Sequence, residues 1–166
     1  MRLNEDEKGA SAVEFAIIAS LLLMILFGTI TFGIVFNRYQ GLQAAGREGA
    51  RLGSLATTTV AAIKTRVRDT VSIVNLGTTP TDCSAWVVTL ETGCVLIQTK
   101  HDNNGDGDTT DSGETTDFTT PTSKPCNAAP SGQSVYVEVR YRLRIEIPLW
   151  AAPQMTVTGT GEFQCE

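Results

Sequence analysis

The feature that most constrains this chain is an uncharged apolar stretch at residues 15–36, with the sequence FAIIASLLLMILFGTITFGIVF. As an α-helix this stretch would be about 33 Å long, which matches the roughly 30 Å hydrocarbon core of a bilayer. Glu14 precedes it, and Asn37 and Arg38 follow it. Because a single segment in hydrocarbon can bond all its backbone groups only as a helix, we expect one transmembrane helix here.

A signal peptide and a buried core helix each account less well for the apolar stretch. It is longer than the apolar region of a usual signal peptide, and no small-residue cleavage pattern follows it. A buried core helix of this length would have little to cover it in so small a protein. A transmembrane helix therefore explains the apolar stretch best.

The cysteines indicate on which side of the membrane the rest of the chain lies. All four follow the apolar stretch, and none forms a C-x-x-C pair, so zinc and thioredoxin-like sites are disfavoured. An even count suggests two disulfides in an oxidising compartment, with three pairings open. The flanking charges do not decide the orientation. The cysteines and the size of the C-terminal part favour a cytoplasmic N-terminus and an extracytoplasmic C-terminal domain. The disulfide candidates are Cys83, Cys94, Cys126 and Cys165.

Charge and motif content exclude several function classes. The net charge is −5, which gives no basis for general nucleic-acid binding. No nucleophile, phosphate-binding loop or metalloprotease signature is recognisable, and the lone histidine, His101, stands in a polar segment. We therefore expect a protein that is not an enzyme and does not bind nucleic acid.

The residues before the apolar stretch have the chemistry of a processing site. A short polar leader, residues 1–9, ends at Gly9, and Glu14 is the one carboxylate at the start of the apolar helix. If the chain were cut after Gly9, the new amino group of Ala10 would lie about one helical turn from Glu14. That carboxylate could pair with this amine or with the amine of a neighbouring chain, and it would face the positive end of its own helix.

Two segments, EKGASAVEFAIIASLLLMILFGTITFG and the later AAGREGARLG, resemble the TadE-like family of tight-adherence pseudopilins, within the type IV pilin class. The resemblance covers roughly residues 8–55. It implies cleavage between Gly9 and Ala10 by a prepilin peptidase, with Glu14 and Phe15 at motif positions, although many relatives carry Tyr at the latter. It also implies a minor pilin or pseudopilin whose partners are the bilayer, the prepilin peptidase and other pilin subunits. The alternative, that Glu14 only anchors the helix at the interface and nothing is cut, stays open.

Small residues recur beyond the membrane segment, within a helix and extension that we place at residues 10–55. One row falls on every fourth residue, and a second row runs beside it at Gly46, Ala50 and Ser54. Each interior glycine costs a helix about 1 kcal/mol relative to alanine, so we expect close packing to offset that loss. The partner is either a neighbouring subunit or this protein's own C-terminal domain. The first row consists of Gly41, Ala45, Gly49 and Gly53.

The remaining residues, 56–166, are expected to form the extracytoplasmic domain. A valine stripe at helical spacing predicts a helix over residues 58–76. Alternating apolar residues predict strands, of which the clearest is residues 135–149. The fold class is thus α+β: a long N-terminal transmembrane helix continues into an extracytoplasmic helix and packs against a small antiparallel β-sheet. The other predicted strands are residues 85–90, 94–99 and 154–163.

A polar acidic loop at residues 100–134 separates two of the predicted strands. Its start resembles an EF-hand-type calcium loop, because oxygen-bearing side chains alternate around a glycine. The match then fails, since Gly113 stands at the twelfth position and Thr109 at the eighth. Calcium is the one cofactor that the sequence suggests, and a solvated acidic loop is the alternative. A membrane-tethered module with a calcium-binding or adhesive loop is the second functional hypothesis. The candidate ligands are Asp102, Asn104, Asp106, Asp108, Asp111 and Glu114.

Overall fold

A computed structural model describes residues 4–72, 74, 76, 81–83, 92–127, 132–145 and 154–166. The predicted strand 85–90 and the last part of predicted strand 135–149 lie outside the described residues. The elements run in the order α1 (Asn4–Gly53), α2 (Val60–Thr70), β1 (Thr81–Asp82), β2 (Gly93–Lys100), β3 (Thr115–Asp117), β4 (Ser134–Arg144) and β5 (Gln154–Gln164).

The first helix, α1, runs without interruption from Asn4 to Gly53. It contains the whole apolar stretch and both rows of small residues, except for Ser54. Arg51 lies in its last turn, where a cation favourably meets the negative end of the helix dipole. Ser54 follows the helix and donates its hydroxyl to the Arg51 carbonyl at 2.9 Å. The apolar helix was predicted to continue into a second half that carries the small residues, and this is confirmed.

The strands form one sheet in the order β1-β2-β4-β5, with β3 paired to β2. The β2–β4 and β4–β5 pairs are antiparallel, and Val137 of β4 lies between Ile97 of β2 and Gly161 of β5. β2, β4 and β5 correspond to three of the predicted strands. The α+β class is therefore confirmed. Two short strands were not predicted: β1, which is parallel to β2, and β3, which lies inside the acidic loop.

The core lies between the two helices and one face of the sheet. Every second side chain of β4 is buried, as its alternating sequence predicts. Burying a valine or leucine side chain contributes roughly 1.5–3 kcal/mol, so the burial of this face stabilises the domain. The fully buried side chains include Leu42 from α1, Ile63 and Val67 from α2, and Val135, Val137 and Val139 from β4.

The second helix is shorter than predicted, because it ends at Thr70 instead of residue 76. β-Branched residues crowd this part of the chain, and their restricted side chains disfavour a helix. Val71 and Val74 are nevertheless buried, so the valine stripe still contributes to the core. At the other end of α2, the Thr59 side chain accepts a hydrogen bond from the Ala62 amide at 3.3 Å and caps the helix.

The second half of the acidic loop packs against the domain. Phe118 donates its amide to the Ile97 carbonyl at 2.9 Å. The carbonyl of Ser123 accepts from the Val60 amide at 2.8 Å, so the loop bonds an otherwise unpaired donor in the first turn of α2. These backbone bonds fix the loop to both the sheet and α2.

Candidate functional site

The N-terminal part of α1 is bare, whereas its C-terminal part is covered. Apart from Val35, which is partly buried, the large apolar side chains from Val13 to Phe36 are between 45% and 72% exposed. This is the one helix among the described residues that is long and apolar enough to cross a membrane, and its apolar window is not buried at all. From Leu42 onward the helix instead contributes to the core. The exposed apolar surface of α1 therefore lies on the part that can lie in a bilayer, with Tyr39 just beyond it.

The predicted processing residues lie on the bare part of α1. The helix passes through Gly9 and Ala10 without a break. Gly9 is exposed, and no atom lies within 4 Å of where its Cβ would be. Glu14 is also exposed, and the Phe15 side chain is 72% exposed. Four helical residues correspond to about 6 Å along the axis, so Glu14 lies within reach of an amine at position 10.

The small-residue face of α1 packs against this protein's own domain. A Cβ at Gly49 would lie 2.5 Å from a Val67 methyl, and one at Gly53 would lie 2.9 Å from a Val135 methyl. Ala45 is fully buried as well, whereas Gly41 at the lower end of the row is partly exposed. The sequence left two partners open for this face, a neighbouring subunit and this protein's own C-terminal domain. In the structure the protein's own domain packs on it.

Backbone also meets backbone where α1 crosses β5, a contact that was not predicted from the sequence. A Cβ at Gly161 would lie 2.5 Å from the Arg47 Cα, and one at Gly159 would lie 2.5 Å from the Gln43 amide nitrogen. From the helix side, a Cβ at Gly46 would lie 2.8 Å from the Thr160 carbonyl carbon. Alternating glycines inside a strand indicate such a close approach, and that signal was present at residues 159 and 161.

An ion-pair cluster joins the two helices on their outer side. Glu48 of α1 accepts hydrogen bonds from Arg51 at 2.9 Å and from Arg66 of α2 at 2.6 Å. The pKa of Glu48 is lowered from 4.5 to about 2. The hydrogen bond from Arg51 is the largest cause, and the hydrogen bond from Arg66 is the second. Glu48 is therefore ionised under all ordinary conditions.

The opposite face of the sheet carries paired charges around Tyr136. The Arg140 guanidinium lies 2.5 Å from Glu138, and the Lys100 ammonium lies 3.8 Å from the centre of the Tyr136 ring. Burial, followed by the charge of Glu138, raises the pKa of Tyr136. Since these cations have partners within the sheet, this face has the character of a partly buried salt-bridge surface.

The candidate calcium ligands do not converge as one set. Asp106, Asp108 and Asp111 are exposed, and one carboxylate oxygen from each lies within 4.8 Å of the others. Asp102 is turned toward the backbone instead and accepts from the Gly107 amide at 3.0 Å. Glu114 is buried and accepts from the Asp111 amide at 3.3 Å. Asn104 donates to Asp106 at 3.0 Å. Calcium binding stays a prediction.

Two disulfides are present, as the even cysteine count predicted. Cys83 pairs with Cys94, with their Cα atoms 5.1 Å apart, and fastens β1 to β2. Cys126 pairs with Cys165, at 5.5 Å, and fastens the end of the acidic loop beside the end of β5. The structure thus selects one of the three pairings.

Comparison with known proteins agrees with the resemblance that the sequence shows. Residues 9–51 match the family model described as TadE-like protein. The matched segment contains the bare part of α1, the residues Gly9, Glu14 and Phe15, and most of the covered part. Neither the curated proteins nor the solved structures contain a significant match. The N-terminal quarter of this chain is thus similar to TadE-like proteins, and it is joined to a disulfide-bonded α+β domain.

Proposed function

We propose that this chain is a minor pilin or pseudopilin of a tight-adherence pilus system, with a structural and not an enzymatic role. The observation that carries the proposal is that the TadE-like match falls on α1, where an exposed apolar segment precedes a covered one. An exposed helix with a head domain on its far half can serve first as a membrane anchor and later as a subunit contact.

The bare and the covered parts of α1 would have different functions. Residues 11–36 would cross the cytoplasmic membrane, with the N-terminus inside and the sheet domain outside. Because the small-residue face at Ala45, Gly49 and Gly53 is already filled by the domain, neighbouring pilin subunits would contact the apolar segment instead. This moves the predicted subunit interface from the extracytoplasmic half of the helix to its membrane half.

Processing would occur between Gly9 and Ala10, by a prepilin peptidase. The exposure of Gly9 supports this, since no side chain from the sheet domain lies within 4 Å of its Cβ position. After the cut, Glu14 would remain within about one helical turn of the new amine. In an apolar assembly an unpaired carboxylate is costly, so pairing with a subunit's amine would guide insertion into the pilus.

Mass spectrometry of the chain co-expressed with a prepilin peptidase tests the proposal. We expect the mature N-terminus to be Ala10. Replacing Gly9 by a bulky residue, as in Gly9→Leu, should block the cut, whereas Gly28→Ala, at a glycine equally free of neighbours, should not. Glu14→Gln should be cut but should fail to enter a pilus. A wild-type chain that keeps Met1 in the presence of active peptidase would contradict the processing hypothesis.

A membrane-tethered module with a calcium-binding or adhesive loop remains the alternative. The observation in its favour is the approach of the Asp106, Asp108 and Asp111 carboxylates to within 4.8 Å of one another. Isothermal titration of the detergent-solubilised chain with Ca²⁺ tests it. Heat at millimolar calcium that is lost in Asp106→Asn but kept in Asp69→Asn, a change on α2, would support it. The absence of any heat would end it.

A further inference from the structure

β4 and α1 lie side by side along their lengths, in opposite directions. A Cβ added at Gly53 would lie 2.9 Å from a Val135 methyl, and one added at Gly49 would lie 3.2 Å from a Val137 methyl. Further along, the Arg38 guanidinium lies 5.9 Å from the centre of the Tyr141 ring. From residue 53 back to 38 the helix covers about 22 Å, and from 135 to 141 the strand covers about 20 Å. The two lengths agree, so β4 descends along α1 toward the membrane segment.

If α1 and β4 continue side by side beyond Tyr141, the end of the sheet lies beside the membrane segment. Arg144 lies three residues beyond Tyr141, or about 10 Å further along β4, which corresponds to roughly seven helical residues before Arg38. That position is close to Thr31. Burial agrees at Val35, which is partly covered while Phe32 and Phe36 on either side of it are exposed. Val35 also packs against the core.

This overlap sets the depth at which the bilayer begins. A hydrocarbon core of roughly 30 Å takes about 20 helical residues. Residues 11–30 supply that length without using any residue from Thr31 onward, and Glu14 then lies about 5 Å inside the span, within one helical turn of the interface. The boundary of the hydrocarbon on the sheet side therefore falls near Thr31, and the end of the sheet lies at the depth of the lipid headgroups.

The side chains at that depth suit a headgroup layer. We define the sheet base as Arg144, Ile145, Gln154 and Met155. Arg144 and Met155 come from paired strands, and both are exposed, the latter by 46%. A guanidinium binds phosphate oxygens through two parallel hydrogen bonds, and a flexible apolar methionine can enter the acyl boundary. Arg38 adds a second cation where α1 leaves the bilayer.

We propose that the sheet base, together with Arg38, binds phospholipid headgroups of the leaflet that faces the C-terminal domain. The inference rests on the membrane anchoring in the proposed function. It goes further, because it makes the folded domain itself a lipid-binding surface that holds the helix at a fixed depth. Arginine would supply the electrostatic part, which anionic lipids strengthen and salt weakens.

Depth-dependent fluorescence quenching of the full chain in nanodiscs tests this. Met155→Cys, Leu55→Cys and Ile25→Cys are made separately and labelled with a small fluorophore, with both native disulfides verified by mass spectrometry. The nanodiscs carry phosphatidylcholine, phosphatidylglycerol and a nitroxide lipid, spin-labelled either on its headgroup or on its acyl chain. We expect headgroup nitroxide to quench the label at position 155 several-fold more than at position 55, which lies at the far end of α1.

The labels at positions 155, 55 and 25 distinguish a failure of the sheet-base proposal from a failure of membrane anchoring. Equal quenching at 155 and 55, with position 25 quenched by acyl-chain nitroxide, would overturn the sheet-base proposal and leave membrane anchoring intact. No quenching at position 25 would overturn the anchoring itself.

A charge variant tests the role of arginine in the same nanodiscs. In the Met155→Cys background, Arg144→Gln should weaken headgroup quenching, and omitting phosphatidylglycerol should do the same. Arg47→Gln, an exposed arginine on the covered half of α1, is the matched control and should change nothing. Quenching that is indifferent to Arg144→Gln would refute phosphate binding by the sheet base.

Discussion

Gln43 on α1 accepts a hydrogen bond from the backbone amide of Thr160, at 3.4 Å. The same carboxamide donates to the Thr158 carbonyl at 3.3 Å. Since β5 is the terminal strand of the described sheet and pairs with β4 through its other side, these two backbone groups face the open edge. A free edge can pair with another chain, and here a single side chain occupies its middle.

Replacing this side chain should open the edge. We expect Gln43→Ala to cost about 1 kcal/mol of stability for the lost hydrogen bonds and to speed hydrogen exchange at the Thr160 amide. Hydrogen–deuterium exchange of the full chain in detergent measures this. Gln40→Ala, an exposed glutamine one turn earlier on α1, is the control. Unchanged protection of Thr160 in Gln43→Ala would show that the carboxamide does not protect the edge.

The contact between Gly159 and α1 should tolerate no side chain. In Gly159→Ala the new Cβ would lie 2.5 Å from the Gln43 amide nitrogen, so the helix must move away from the sheet. Overpacking of this kind costs about 1–3 kcal/mol, and we expect the upper end, because the obstacle is backbone. Gly33→Ala, whose surroundings are empty, should be neutral or slightly stabilising. Denaturant unfolding of both variants measures the difference.

Acid should weaken the contact between the two helices. The folded pKa of Glu48, about 2, lies below its ordinary value of 4.5, so its stabilising effect is complete above that ordinary value. It is lost as the pH falls through the interval from 4.5 to 2. The Tm difference between wild type and Glu48→Gln should therefore shrink across this interval.

A substitution of Arg66 tests whether the arginine partners lower the pKa of Glu48. Arg66→Gln removes one of two guanidinium groups and should raise the pKa of Glu48 part of the way back. A Tm difference between wild type and Glu48→Gln that stays constant down to pH 2 would show that Glu48 is not held ionised by its partners.

The two disulfides should differ in their effect on stability. By the chain-entropy model, closing a separation of 39 residues between Cys126 and Cys165 stabilises by about 4 kcal/mol. Closing 11 residues between Cys83 and Cys94 stabilises by about 3 kcal/mol. Paired serine variants, Cys126→Ser with Cys165→Ser and Cys83→Ser with Cys94→Ser, are compared by urea unfolding. If the shorter loop proved the more important, native contacts and not chain entropy would set the order.

Much of the fold could be predicted because its signals are local. The alternation from Val135 to Leu143 specifies a strand with one buried face, and the structure buries the predicted side. The apolar stretch and the small-residue rows likewise indicate one long helix with two different environments. The end of α2 was misplaced because the valine spacing continues past Thr70, where the helix ends.

Other features depend on which segments meet in space, and local pattern does not encode that. The partner of the Gly49 and Gly53 face could be a second subunit or the own domain on sequence grounds, and only the fold selects the domain. Disulfide pairing has the same character. Lys64 is a further case, because a charged side chain on a helix is usually exposed, yet Lys64 is buried and Asp82 of β1 lies 2.5 Å from its ammonium group.

The opposite, side-by-side course of α1 and β4 has a mechanical consequence. A pull along the membrane helix would act parallel to the interface from Val135 to Tyr141, so the buried contacts would be loaded together in shear and not broken one after another. Gly159 and Gly161 hold the β5 backbone directly against the helix along the same line. The domain is therefore arranged to transmit axial tension between its head and its membrane segment.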